Sequence, residues 1–187
     1  MCGRYSLYSK KEVYSKFNFT ITPNYNISPG SSIPVLDENF NIKMMHWGLN
    51  ETWLKNKSII NARLESINNK FFFSKYRRCI FIADGYIEWM KVGSEKIPYF
   101  HHFKNKLMYI AGLYNNSNAV IITIRSNQNI SHIHNRQPLI IDDNSLYQWS
   151  KRRQIIANHK SDLNYYEVSK NINFSNNNYK ELLNKIN

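Results

Sequence analysis

The chain has 187 residues, which at about 150 residues per domain is one domain or at most two. With 42% hydrophobic, 20% charged and 14% aromatic residues it can bury a core, and this composition argues against disorder. Against 13 Asp and Glu stand 25 Lys and Arg, a net charge of +12 that points to nucleic acid or another anionic surface.

In chain order, Val13 and Phe17 share one face and predict a helix over 10–17. Short apolar runs predict strands over 33–36 and 42–47, and a helix is expected within 66–76. Runs at 79–83 and 86–90 flank Asp84-Gly85, which predicts a β-hairpin. Strands follow over 99–103, 107–114, 119–125, 138–142 and 165–169. A helix is expected over 143–149, capped by Asp142 or Asp143, and a short terminal helix from Tyr179. The expectation is an α+β fold over 1–187: a single domain with a curved, mostly antiparallel sheet system and a few helices at its edges.

No run of about 18 apolar residues is present, which excludes a transmembrane helix. Met1-Cys2-Gly3-Arg4-Tyr5 lacks the apolar stretch of a secretory signal, so a cytoplasmic location and no membrane partner are expected. Two cysteines, Cys2 and Cys79, cannot build a disulfide framework or a four-cysteine zinc site. No metal or cofactor is expected.

Cys2 carries the first chemical signal. An initiator methionine before a small residue is usually removed, which makes Cys2 the first residue. Its α-amine then titrates near about 7.7–8.0 and its thiol near about 8.5, and Arg4 is placed to lower the thiol further. An amine condenses with an aldehyde to an imine, and a β-thiol closes on that carbon to give a thiazolidine. The bland alternative is an incidental residue near a frayed end.

In Ile60-Asn61-Ala62-Arg63-Leu64-Glu65, Asn61 has an amide suited to orienting a nucleophile and Arg63 a fork suited to a phosphate. A solvated segment leading into a helix explains the same residues. Strand alternation places Tyr86, Glu88 and Met90 on one face, and Ile87, Trp89 and Lys91 on the other. Glu88 thus has apolar neighbours and suits either proton exchange or a cross-strand pair with a Lys or Arg. In 131–138, His132 and His134 share a face if extended. His134 beside Arg136 suits a proton shuttle next to a phosphate, or a loop histidine satisfied by backbone. Trp47, ahead of Gly48, reads as a surface residue able to stack on a base, whereas Trp53 and Trp89 read as core.

Taken in order, Met1-Cys-Gly-Arg-Tyr5, Tyr25-Asn-Ile-Ser-Pro-Gly30, Trp47-Gly-Leu49, Asn61-Ala-Arg-Leu-Glu65, Ala83-Asp-Gly-Tyr-Ile-Glu-Trp89, Ala111-Gly-Leu-Tyr114 and Ile133-His-Asn-Arg-Gln-Pro138 resemble the SOS response-associated peptidase (SRAP) family of abasic-site processing proteins. The resemblance runs from Met1 to about Phe174. It implies a barrel-like fold and a monomer that senses abasic sites in single-stranded DNA. It also implies a covalent link to the lesion through Cys2, with possible self-removal of Met1 and a lyase outcome if ring closure fails to trap the imine. Cys2 is then the nucleophile. Asn61 holds the thiol or the sugar, Glu88 accepts a proton from the Cys2 amine, and His134 protonates the sugar-ring oxygen. Arg4, Arg63 and Arg136 grip phosphates, while Trp47 and the Asn26 segment line the strand's path. Three phosphate contacts imply a log affinity against log salt slope of about −2.

Three positions depart from the family pattern. Asn135 stands where Asp usually follows the histidine, Gln137 where Met precedes the proline, and Ile82 where Pro precedes Ala83. The first removes a carboxylate neighbour of His134 and is expected to slow its proton transfer. Two other classes compete. An N-terminal-nucleophile cysteine amidohydrolase would show glutaminase activity. A non-covalent single-strand-binding module would keep all DNA interaction in Cys2→Ala.

Overall fold

The computed structural model describes residues 2–49, 58–67, 71–151 and 163–186. Its strands are β1 (Arg4–Leu7), β2 (Asn24–Ile27), β3 (Ser32–Leu36), β4 (Ile42–Trp47), β5 (Asn61–Arg63), β6 (Arg77–Ala83), β7 (Gly85–Val92), β8 (Glu95–His102), β9 (Met108–Asn115), β10 (Asn118–Arg125), β11 (Arg136–Pro138), β12 (Ile140–Ile141) and β13 (Asn164–Glu167). The helices are α1 (Lys10–Phe17), α2 (Leu64–Ile67), α3 (Phe71–Ser74) and α4 (Leu146–Ser150). No helix among the described residues is long and apolar enough to cross a membrane.

Strands β10, β4, β3, β6 and β9 pair in succession, and β9 pairs back with β10. The ring closes into a five-stranded barrel with no free edge among its members. Its β6, β9 and β10 segments, Cys79–Ala83, Met108–Leu113 and Ala119–Ile122, are buried without interruption, as a filled barrel requires. Most pairings are antiparallel, but β10 runs parallel to β4 and then to β5. The second sheet, in the order β13-β8-β7-β1-β2, lays one face on the barrel. Its other face forms a smaller core of Ile87, Phe100, Val168, Ile172, Leu182 and Leu183, covered by the C-terminal segment. Strand alternation sorts the two: Tyr86 faces the barrel and Ile87 faces away.

Helix α1 and strand β4 lie where the sequence placed them. The expected helix over 66–76 is two short pieces, α2 and α3. Asp142, of the two possible caps, accepts a hydrogen bond from the Ser145 N–H at 2.9 Å. The terminal helix is one 3-10 turn, Lys180–Leu183. Residues around His132 and His134 form turns and not a strand, so the two rings do not share a strand face. Trp53 lies outside the described residues.

The hairpin at Asp84-Gly85 is a correction. Strand β6 pairs with β3 and β9, and β7 with β1 and β8, so this dipeptide carries the chain from the barrel into the second sheet. The Asp84 carboxylate accepts from the backbone N–H groups of Tyr8 and Ser9. A Cβ at Gly85 would press into the Phe100 ring and the His101 carbonyl. Gly85→Ala is therefore expected to lower unfolding free energy by about 1–3 kcal/mol through overpacking, measured by denaturant titration.

Candidate active site

Cys2 is held where the two sheets meet. Arg4 lies opposite Ile87 and Tyr5 opposite Tyr86, so β1 leads the N-terminal residues in alongside Glu88 on β7. From the barrel side, Asn61 at the start of β5 donates its Nδ2 to the Cys2 carbonyl at 2.9 Å. Cys2 is fully buried, with Sγ 3.8 Å from the Arg4 carbonyl. Glu88 is 4% exposed, and the Trp89 N–H donates to its Oε1 at 3.3 Å.

Burial pushes the Cys2 thiol well up, and the charge of Glu88 adds to the rise. The net lowering expected from Arg4 does not occur, because only its backbone carbonyl acts on the thiol and burial outweighs it. Arg4 is half-buried, and its Nη1 donates to Asn26 Oδ1 at 3.0 Å while the thiol meets only its backbone. The thiol thus stays protonated near neutral pH.

Asn26 is buried. Its Nδ2 donates to the carbonyls of Phe174 at 3.0 Å and Asn177 at 2.9 Å, so it ties Arg4 to the C-terminal segment. The surface position expected for Trp47 is corrected too. It is fully buried, edge-on to Tyr5 at 5.3 Å, and its Nε1 donates to the Ile60 carbonyl at 3.0 Å. Its position in the barrel core leaves no face for a base. Trp89 is half-buried against the smaller core, its Nε1 donating to Asn173 Oδ1 at 2.8 Å.

A second group adjoins the far end of β5. Arg136 donates to both carboxylate oxygens of Glu65, at 2.7 and 3.0 Å, and to the Thr123 carbonyl at 2.6 Å. Its charge is thus matched within the protein. Arg63, two residues from Asn61 on the same face of β5, is exposed. His134 is half-buried, and its Nδ1 accepts from the Arg136 N–H at 3.0 Å. The same Nδ1 lies 3.2 Å from the Arg136 carbonyl, so the backbone of Arg136 fixes the ring's orientation. Cys2, Asn61 and Glu88 therefore form one group with Arg4 and Asn26. His134, Arg136 and Arg63 form another, and β5 joins the two.

Three residues that sequence reasoning passed over also belong here. Tyr5, Tyr86 and His101 form one cross-strand row over β1, β7 and β8. Tyr86 stacks on His101 with ring centroids 4.5 Å apart. Their grouping comes from strand register, for which the sequence carries no local marker.

The site and the barrel define a known class: the SOS response associated peptidase (SRAP) family model matches residues 1–175, and the chain belongs to that family. Abasic site processing protein YoqW of Bacillus subtilis is 29% identical over 221 aligned residues, covering 98% of this chain and 99% of the relative. Abasic site processing protein YedK of Escherichia coli is 25% identical, over 81% of this chain and 80% of its own. A crystal structure of a protein from Bacteroides thetaiotaomicron shares the fold, with a TM-score of 0.84 at 19% identity, over 99% of this chain and 100% of that one.

Burial holds His101 down at about 4, so the folded protein keeps it neutral. The unfolded chain binds that proton near the ordinary value of about 6.5, so the stabilisation is complete above that pH and is lost as pH falls toward 4. Between near-neutral pH and about pH 4.5, wild type is expected to lose about 2 kcal/mol more unfolding free energy than His101→Phe, measured by denaturant titration at each pH.

Proposed function

We propose that the protein, once Met1 is removed, captures abasic sites in single-stranded DNA as a thiazolidine on Cys2 and so shields the lesion during repair. The observation that carries this reading is the clasp on Cys2, with Asn61 on its carbonyl at 2.9 Å and the Glu88 charge felt at its sulfur. Met1 has to leave first, because an amide nitrogen has no lone pair to give to a carbonyl. An opened abasic sugar is an aldehyde, and a terminal cysteine offers the amine and thiol that trap it.

The state of the thiol sets the order of events. A protonated sulfur is a poor first nucleophile, so the amine attacks first. Glu88 takes the proton that the terminal ammonium must lose. The thiol then adds to the imine carbon, and its proton passes to the imine nitrogen. Asn61 Oδ1, buried with no partner among the described residues, is an acceptor for the freed terminus. His134, its ring oriented by the Arg136 backbone, is the donor that helps open the sugar ring.

Phosphate contact falls chiefly to Arg63, the exposed arginine of the three, since Arg136 is already matched by Glu65. Arg4 has a neutral partner in Asn26 and keeps its charge for a phosphate close to Cys2. The net charge of +12 favours a DNA partner. The amidohydrolase alternative draws no support from a thiol pushed up by burial.

Processed protein is expected to form a denaturant-stable crosslink with single-stranded DNA containing one abasic site, read on a denaturing gel. Cys2→Ala should abolish it. Glu88→Gln should slow it by about a hundredfold while binding to intact single strands stays unchanged. Equal crosslinking by Cys2→Ala would refute the reading.

A further inference from the structure

Two buried hydroxyls within electrostatic reach of Cys2 have no part in the scheme above. Tyr5 and Tyr86 are cross-strand partners, 0% and 1% exposed, and neither phenolic oxygen has a hydrogen-bond partner among the described residues. Both rings are fixed, Tyr5 edge-on to Trp47 and Tyr86 stacked on His101. An unpaired buried hydroxyl is destabilising, and phenylalanine would fill the same space without that cost. Two such groups as direct cross-strand partners are not required by packing. Both phenols lie within electrostatic reach of the Cys2 thiol, and Tyr86 also of Glu88. Burial keeps both protonated, so each is a hydrogen-bond donor.

We propose that the hydroxyls of Tyr5 and Tyr86 are catalytic donors that hold the aldehyde oxygen of the opened sugar while its carbon reacts with Cys2. This rests on the reading of Cys2 as the aldehyde trap. The C–N bond forms first, and the carbonyl oxygen gains the proton that the attacking nitrogen gives up. The C–O bond then breaks, and the oxygen leaves as water with a second nitrogen-derived proton, giving the imine. The S–C bond forms last, and the thiol proton goes to nitrogen. Amine, thiol and aldehyde thus become thiazolidine and one water, and no other reactant is consumed. Two neutral donors stabilise the oxygen as it gains charge in the first step and again as it departs in the second. They start and end protonated.

The test uses the full chain with Met1 removed, in single-turnover crosslinking to single-stranded DNA with one abasic site. Tyr86→Phe and Tyr5→Phe are each expected to lower the maximal rate by about tenfold or more. The DNA concentration for half-maximal rate should stay within about twofold, and early samples should hold less borohydride-reducible imine. The melting temperature should not fall, because phenylalanine removes an unpaired hydroxyl and no hydrogen bond. Wild-type rates in both variants would overturn the proposal. So would a lowered melting temperature with proportionate loss of DNA binding, which marks the hydroxyls as structural. If wild type itself forms no crosslink, the Cys2 reading fails and this proposal fails with it.

Discussion

The 2.9 Å hydrogen bond from Asn61 to the Cys2 carbonyl joins the two halves of the architecture at the buried cysteine on which the proposed chemistry rests. Asn61 belongs to β5, which extends the barrel through β10, while Cys2 precedes β1, an inner strand of the second sheet. Chain ends are ordinarily exposed and mobile. Here β1 lies between β2 and β7, and the residues before it are drawn into a buried seam. The nucleophilic role proposed for Cys2 needs such an anchor, since its position is otherwise averaged over many conformers.

Burial then decides how the charges in this seam behave. Burial raises the Cys2 thiol and the buried Glu88 carboxylate adds to the rise, so the sulfur remains a neutral S–H. The arginines divide by what they already hold. Arg136 is committed to Glu65 and so fixes the backbone that bonds to His134, while Arg63 faces solvent. The net charge of +12 is therefore not spent evenly around the site.

Local pattern made much of the fold legible in advance. Period-two and period-four spacing located α1, β4 and most of the long strands, because those elements are set by their own residues. Asp84-Gly85 misled because its partners are distant: Asp84 bonds the backbone at Tyr8 and Ser9, and Gly85 lies under Phe100. Trp47 misled for a similar reason, since a tryptophan before glycine looks the same at a surface as in a closed barrel. The site residues came from a constellation of motifs in order. The grouping of Cys2, Asn61 and Glu88, the upward push on the thiol, and the row of Tyr5, Tyr86 and His101 all depend on cross-strand register. Register is settled by the whole sheet and is not written at any single position.

The most direct measurement is the intact mass of the purified chain before and after exposure to an oligonucleotide with one abasic site, followed by peptide mapping of the adduct. The account predicts a protein lacking Met1, an adduct equal to protein plus DNA less one water, and attachment at Cys2. A retained Met1 in the adduct, or attachment at a lysine, would contradict it.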